Sequence, residues 1–146
     1  MTTGYSGTPL AKKLGIKEGF LVLVINAPEN YSDLLAPVPP DVRFIGLPDD
    51  PPRPGGELGS GFDLIHLFTN SKHELSTEIA ESMRHLKQNG AIWVSWYKKA
   101  AKRPTELTED TVRDVALPLG LVDVKVCAVD ELWSGLKLVI RKENRL

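Results

Sequence analysis

A cluster of cationic and aromatic side chains near the middle of the chain has the residue types that bind anionic ligands. The cluster closes an apolar run over residues 91–97 and continues into a polar link. Its members are Trp96, Tyr97, Lys98, Lys99, Lys102 and Arg103. Cations hold an anion by charge, and aromatic rings give a stacking surface for a base or another ring. The pattern predicts either a site for a small anionic or nucleotide-like ligand or a solvated loop after a strand.

Two asparagines extend this candidate site to neighbouring strands. Asn26 and Asn70 each follow an apolar run that is typical of a buried strand. In an open α/β sheet, the carboxyl ends of adjacent parallel strands meet in a crevice where ligands bind. We therefore expect a pocket lined by Asn26, Asn70, Trp96, Lys98 and Lys99. Alternation puts Lys98 on the face of Trp96 and Lys99 opposite, so we expect only one lysine to point inward, and the sequence leaves open which.

A proline- and glycine-rich segment over residues 48–61 separates two of the predicted strands. It can form neither a helix nor an ordered strand, so we predict a long loop. The loop serves either as a lid or binding loop or as a shortened crossover, and Asp49 and Asp50 are its candidate binding residues.

The turn of a predicted hairpin contains a tryptophan. Trp133 lies beside Asp130, Glu131 and Ser134. A tryptophan is costly to leave exposed at a turn, so it either closes the edge of the core or forms a protein contact surface. Five residues are therefore secondary candidates for the site: Asp49, Asp50, Lys102, Arg103 and Trp133.

The histidines and the cysteine do not form a metal-binding or nucleophile pattern. His66 falls inside a predicted buried strand, where a hydrogen-bonded core histidine is expected. His73 and His85 are separated by twelve residues on a predicted helix, so they do not share a turn as a metal pair would. Cys127 has no CxxC partner and is expected to pack in a strand. We expect no metal ion, and the sequence identifies no catalytic residue.

The elements that must position these residues alternate between strands and helices. Apolar periodicity and capping signals define them, and Asn89-Gly90 is interpreted as a helix stop before the central strand. We expect strand order 2-1-3-4 with a terminal hairpin beyond strand 4, because parallel crossovers are right-handed. The predicted elements are a helix over 8–15, strands over 20–27, 41–47, 62–69 and 91–97, a short helix after Pro28, helices over 71–88 and 108–117, and a hairpin of 121–130 with 134–142.

The composition is typical of one globular domain. The chain has 146 residues, of which 42% are hydrophobic, and we expect a single domain over 1–146 with an arm and short helix over 1–19. The 18 basic and 19 acidic residues give a formal charge of −1, which argues against a nucleic-acid binder. A single cysteine and the absence of a signal peptide or an apolar membrane span predict a soluble cytoplasmic protein with no membrane partner. The oligomeric state stays open.

The order of these elements resembles the Rossmann-like fold of S-adenosylmethionine-dependent methyltransferases. FDLIHLFT over 62–69 resembles their fourth strand, LKQNGAIWVSW over 86–96 resembles the next helix-to-strand corner, and GLVDVKV with GLKLVIRK resembles the terminal hairpin. The resemblance implies an α/β three-layer sandwich with a mostly parallel sheet and a C-terminal antiparallel hairpin. One strand and one helix of that fold are replaced by residues 48–61.

The amino-acid sequence of the chain also resembles a bacterial family of unknown function whose members begin GYSGTPLAKKLGIK. Here that motif spans 4–17, and a second motif, GLVDVKVCAVDELWSGLK, spans 120–137. This resemblance implies no activity.

The chain departs from the methyltransferase pattern at the turn after the first strand. The family has a glycine-rich turn that lets the backbone approach the cofactor, whereas residues 25–30 here are INAPEN. Asp49 or Asp50 stands near the place of the acidic residue that holds the cofactor ribose in the family. We therefore expect no cofactor, with S-adenosylmethionine as the disfavoured alternative.

Three functions remain open from the sequence. The first is a non-catalytic or regulatory binding module for a small anionic or nucleotide-like ligand. The second is a divergent methyltransferase. The third is a protein-interaction domain that uses Trp133 and the hairpin.

Overall fold

The computed structural model describes residues 9–47 and 61–145, which build one six-stranded sheet with helices on both faces. The strands lie in the order β2-β1-β3-β4-β6-β5, so the predicted order of the parallel strands and the place of the hairpin are confirmed. Strands β1 to β4 are parallel, and β6 is antiparallel to both β4 and β5. The strands are β1 (Leu21–Ile25), β2 (Arg43–Ile45), β3 (Phe62–Phe68), β4 (Leu86–Tyr97), β5 (Leu121–Ala128) and β6 (Trp133–Ile140).

Four helices and three short 3-10 turns complete the described structure. The helices are α1 (Leu10–Leu14), α2 (Tyr31–Leu35), α3 (Lys72–Met83) and α4 (Glu109–Ala116). Helix α1 ends at Gly15, which has a left-handed conformation, and Ser71 and Thr108 cap α3 and α4 through their hydroxyl groups. The 3-10 turns span Lys99–Ala101, Leu117–Leu119 and Lys142–Asn144.

Alternation along the buried strands divides the core into two apolar layers. On β4, Val94 and Trp96 pack in the layer beneath α3 and α4, whereas Trp93 packs with α1 and α2 on the other face. Trp93 also donates an indole hydrogen bond to the carbonyl of Leu14 at 2.8 Å, which fixes α1 on the sheet. The predicted three-layer α/β sandwich with a Rossmann-like sheet and a C-terminal antiparallel hairpin is therefore confirmed.

The corner between α3 and β4 differs from the prediction. Helix α3 ends at Met83 rather than near Gln88, and β4 begins at Leu86 rather than at Ala91. The register between β3 and β4 shifts here, because Phe62 pairs with Leu86 but Leu64 pairs with Ala91. The Asn89-Gly90 pair therefore lies in an irregular part of a strand and is not a helix stop.

Strand β2 is shorter than predicted at both ends. Asp41 has a φ of 62°, and Gly46 has a φ of 94°, so neither residue continues the extended backbone. A Cβ atom at Gly46 would lie 2.1 Å from the carbonyl oxygen of Val24, so only glycine permits this approach of the β2 exit to β1. The hairpin strands are also shorter, and the turn between them spans residues 129–132.

The part of the chain that the structure describes contains no helix with the length and apolar character needed to cross a bilayer.

Candidate functional site

Two asparagine side chains join the carboxyl ends of the parallel strands. Asn26 follows β1 with a φ of 60°, and its amide donates to the carbonyl of Phe68 at the end of β3, at 3.1 Å. Asn70 follows β3, and its side-chain oxygen accepts a hydrogen bond from the backbone N–H of Tyr97 at 2.8 Å. Both residues therefore fix the strand exits relative to one another.

A cleft of about 590 Å³ opens at the carboxyl end of β4. Its wall includes the ring of Trp96, the cations Lys99 and Arg103, and the polar link that leads into α4. Trp96 is 6% exposed, so most of its ring packs in the core and its accessible edge belongs to this cleft. The full lining consists of Trp96, Tyr97, Lys99, Arg103, Thr105, Glu106, Leu107, Thr108, Glu109 and Ser134.

The position of Lys99 differs from the expectation from strand alternation. Strand β4 ends at Tyr97, and Lys99 begins a 3-10 turn, so the alternation does not continue past the strand. Lys99 consequently lines the same cleft as Trp96. Lys98 is half-buried, and its backbone N–H donates to the carbonyl of Leu132 at 2.8 Å, which ties the β4 exit to the hairpin turn.

The cations of the cleft have no carboxylate partner among residues 9–47 and 61–145. Neither Lys99 nor Arg103 forms an ion pair there, and the guanidinium of Arg103 lies over the ring of Tyr97, 5.7 Å from its centroid. The two acidic residues of the wall are engaged elsewhere. Glu109 pairs with Arg113, and Glu106 accepts a hydrogen bond from the backbone N–H of Lys72 at 2.7 Å.

A second, more open cleft adjoins the first and shares Thr105 and Glu106 with it. It contains Asn70 and Glu74, and the carboxylate of Glu74 accepts a hydrogen bond from the hydroxyl of Thr69. The predicted pocket is therefore divided between two adjoining clefts. Trp96 and Lys99 line the first, Asn70 lines the second, and Asn26 and Lys98 line neither.

The secondary candidates lie in different environments. Arg103 belongs to the first cleft, whereas Lys102 is exposed outside it, with a φ of 55°. Asp49 and Asp50 lie outside the described residues. Trp133 is only 9% exposed, so its ring lies at the edge of the core.

Trp133 belongs to an aromatic cluster that includes Tyr97, a wall residue of the first cleft. Its ring centroid lies 4.6 Å from that of Tyr97 and 4.9 Å from that of Phe68. The turn before it is held by Asp130, whose carboxylate accepts from the backbone N–H groups of Leu132 and Trp133, each at 2.8 Å. The hairpin turn thereby fixes the ring on which Tyr97 rests.

His66 is the hydrogen-bonded core histidine that the sequence predicts, and it is fully buried. Its Nδ1 atom lies 2.9 Å from the hydroxyl oxygen of Tyr31, and its Nε2 atom lies 2.8 Å from the hydroxyl oxygen of Ser95. Burial lowers the pKa of His66 to about 3 and raises the pKa of Tyr31 above its usual range. All three groups are therefore neutral near pH 7, and the hydroxyl groups of Tyr31 and Ser95 are engaged with the imidazole.

A small apolar cavity lies near β2, at the edge of the sheet opposite the hairpin, and no predicted site residue lines it. It has a volume of about 200 Å³ and lies between α2 and β2. Tyr31, Leu35 and Phe44 form much of its wall. Of the residues that the structure describes, no charged side chain lines this cavity.

Sequence reasoning also missed the polar residues of the link into α4. Thr105, Glu106 and Thr108 complete the wall of the first cleft. Their signal in the sequence is the polar segment that follows Arg103 and ends in the helix cap Thr108. No group of three or more potential metal ligands occurs among the described residues.

Solved methyltransferase structures are similar to this fold. A SAM-dependent methyltransferase from Aquifex aeolicus shares 16% identity with a TM-score of 0.62, over 88% of this chain and 87% of that chain. A putative type 11 methyltransferase from Sulfolobus solfataricus shares 19% identity with a TM-score of 0.56, over 85% and 86%. Aeropyrum pernix fibrillarin, in complex with natively bound S-adenosyl-L-methionine, shares 12% identity with a TM-score of 0.55, over 89% and 73%. At these identities the likeness establishes the fold alone.

The sequence comparison identifies a family. No curated protein matches the chain, but residues 61–142 match the family model described as "Protein of unknown function (DUF3052)". The match covers more than half of the chain and includes the second recognised motif over 120–137, whereas the motif over 4–17 lies outside it. The chain, with its methyltransferase-like sheet, belongs to the DUF3052 family.

Proposed function

We propose that this chain is a non-catalytic or regulatory binding module, which holds a small anionic, ring-bearing ligand in the cleft at the carboxyl end of β4. The observation that carries the proposal is the pair of cations, Lys99 and Arg103, beside the edge of Trp96. Among the described residues neither cation forms an ion pair.

The electrostatics of the cleft favour an anion. Its two carboxylates are already engaged, Glu109 by Arg113 and Glu106 by the backbone N–H of Lys72. Neither Lys99 nor Arg103 therefore has a described carboxylate partner that an anionic ligand would have to displace. An Arg guanidinium and a Lys ammonium together suit a phosphate or carboxylate group.

The size and the aromatic wall of the cleft favour a ligand with a ring. Its volume of about 590 Å³ lies within the range of small-molecule sites, roughly 300–1,000 Å³. Trp96 and Tyr97 provide apolar ring surface next to the cations. A nucleoside monophosphate combines an anionic group with a planar ring and is the probe of choice.

Calorimetric titration of inorganic phosphate, AMP and ADP at low ionic strength tests the proposal. We expect AMP or ADP to bind with a Kd below about 1 mM. Lys99→Met and Arg103→Met should each weaken that binding on the order of tenfold, because each removes a charge-assisted hydrogen bond. Lys102→Met is the matched control, since Lys102 is an exposed lysine of the same segment outside the cleft.

Two results would contradict the proposal. One is that neither nucleotide binds to the native protein in this concentration range. The other is that a nucleotide binds equally well to the native protein, to Lys99→Met and to Arg103→Met, which would place its site elsewhere.

A second candidate function, methyl transfer with S-adenosylmethionine, draws support from the fold. The solved structures of similar fold include proteins with that cofactor bound. The turn after β1 lacks the glycines that let a backbone approach this cofactor closely. The side-chain amide of Asn26 instead donates to the carbonyl of Phe68 at the β3 exit. A glycine that allows a close backbone approach does occur after β2, where Gly46 lies against the carbonyl of Val24.

We therefore expect S-adenosylmethionine to show no micromolar affinity in calorimetry. Asn26→Gly removes the crossing side chain and is the informative variant, because it restores a glycine at the turn. Micromolar binding to the native protein would refute this expectation and would favour the methyltransferase function.

A further inference from the structure

Two lysines face each other across the terminal hairpin. Lys125 of β5 is the direct cross-strand partner of Lys137 of β6. Like charges that stand directly opposite each other on a sheet destabilise the strand pair. The repulsion between the ammonium groups of Lys125 and Lys137 therefore lowers the stability of the hairpin.

The end of α1 approaches the same face, and two lysines, Lys13 and Lys17, lie at or just after this helix end. The Nζ atom of Lys125 lies 3.4 Å from the carbonyl oxygen of Lys13, and the Nζ atom of Lys137 lies 3.4 Å from the position of a Cβ atom at Gly15. Burial lowers the pKa of Lys137, and the charges of Lys125 and Lys17 lower it further. We call Lys13, Lys17, Lys125 and Lys137 the lysine patch.

Little in the described structure offsets this repulsion. None of Lys17, Lys125 and Lys137 forms an ion pair with a carboxylate within residues 9–47 and 61–145. The carbonyl of Lys13 accepts one long hydrogen bond at the end of a five-residue helix, which is a weak compensation. Local arrangements that oppose stability occur mainly at functional sites.

We propose that the lysine patch is a second anion site, which binds a phosphate or diphosphate group of a small molecule. The half-buried Lys137, its cross-strand partner Lys125 and the nearby charge of Lys17 suit a compact anion with more than one negative charge. The patch lies on the α1 face of the sheet, whereas the β4 cleft opens towards α4 on the other face. The two sites are therefore independent.

Cys127 provides a reporter that is specific to the patch. It is the only cysteine of the chain and lies on β5, two residues beyond Lys125. Burial raises the pKa of the Cys127 thiol, and the charges of Lys13 and Lys125 oppose that rise. An anion on these lysines removes their effect, so it lowers the thiolate fraction and slows alkylation of Cys127.

The experiment titrates inorganic pyrophosphate into the native full chain at low ionic strength, with calorimetry and iodoacetamide alkylation of Cys127 as readouts. We expect saturable binding and alkylation slowed by roughly threefold at saturation. Lys125→Met and Lys137→Met should each weaken binding on the order of tenfold and raise by the same factor the pyrophosphate concentration that slows Cys127 alkylation. Lys72→Met on α3 is the matched control and should change neither readout.

The variants should fold, because each removes one of two repelling charges, and their free energies of unfolding at low salt should equal or exceed that of the native protein. Absence of pyrophosphate binding to the native protein would overturn the proposal. Binding that Lys99→Met and Arg103→Met weaken, while Lys125→Met and Lys137→Met leave it unchanged, would also overturn it. That second result would assign pyrophosphate to the β4 cleft and would leave the proposed function intact.

Discussion

Acidification should destabilise this protein through His66, and the size of the effect follows from its burial. The imidazole lies between the hydroxyl groups of Tyr31 and Ser95, and burial lowers its pKa to about 3. In the unfolded chain a histidine has a pKa of about 6.5. Between these two values only the unfolded state binds the proton, so stability falls as the pH falls.

The loss of free energy of unfolding through His66 depends on the pH interval. The contribution of neutral His66 is fully present above pH 6.5 and is lost progressively towards pH 3. Each unit of pKa difference corresponds to about 1.4 kcal/mol, so lowering the pH from 7.5 to 5.0 should remove about 2 kcal/mol from the free energy of unfolding through this residue alone. This is a large part of the typical net stability of a small domain, about 5–15 kcal/mol.

The assay is urea denaturation at pH 7.5 and pH 5.0, followed by tryptophan fluorescence, for the native protein and for His66→Gln. A Gln amide can still donate and accept hydrogen bonds but does not titrate. Other ionisable groups contribute to both proteins, so the difference between the two pH dependences isolates His66. We expect that difference to be about 2 kcal/mol.

The reasoning would be refuted by equal pH dependences, within about 0.5 kcal/mol, for the two proteins. A second measurement does not depend on the stability of the variant. In the native protein the imidazole resonances of His66 should not titrate between pH 7.5 and pH 5.0. Titration of those resonances in this interval would refute the same argument.

Two further perturbations test how the strand exits are held. Asn70→Ala should lower the free energy of unfolding by about 1–3 kcal/mol, because it leaves the half-buried backbone N–H of Tyr97 without its acceptor; an unchanged urea midpoint would show that this N–H finds another acceptor. Gly46→Ala should cost more than about 1 kcal/mol, since a Cβ atom would lie 2.1 Å from the carbonyl oxygen of Val24 at a φ of 94°. Gly19→Ala is its control, because Gly19 also has a positive φ but no atom within 4 Å of the added Cβ; equal losses in the two variants would contradict the steric explanation.

The fold was predictable because its strands carry strong and simple signals. Continuous apolar runs predicted the parallel strands, and period-two alternation of apolar residues predicted the hairpin. The α3–β4 corner was not predictable, because Asn89-Gly90 fits a helix stop as well as an irregular strand. The pairing of Phe62 with Leu86 decides between the two, and a single sequence does not reveal that register.

The site was predictable only in part, for two physical reasons. Alternation holds within a strand, but the 3-10 turn that begins at Lys99 breaks it and brings Lys99 to the cleft of Trp96. The asparagines were correctly placed at strand exits, yet their side chains bond to the neighbouring strands. Hydrogen bonds between residues far apart in the sequence depend on the folded geometry and have no local signal.

The lysine patch illustrates the same limit. Lys125 and Lys137 are visible as charges on two alternating strands. Their direct opposition follows from the hairpin register, which shifts between Asp123 and Lys125. The approach of α1 to this face depends on the bond from Trp93 to Leu14. No spacing in the sequence predicts either arrangement.

An NMR titration with AMP determines whether a small anionic, ring-bearing ligand binds beside Trp96. The chain has three tryptophans, and Trp96 alone lines the cleft that contains Lys99 and Arg103. We predict that AMP shifts the indole N–H resonance of Trp96 and the backbone resonances of Lys99 and Arg103 in a saturable manner, while the indole resonance of Trp93 stays in place. Saturable shifts confined to other parts of the chain, or no shifts with millimolar AMP, would contradict the claim.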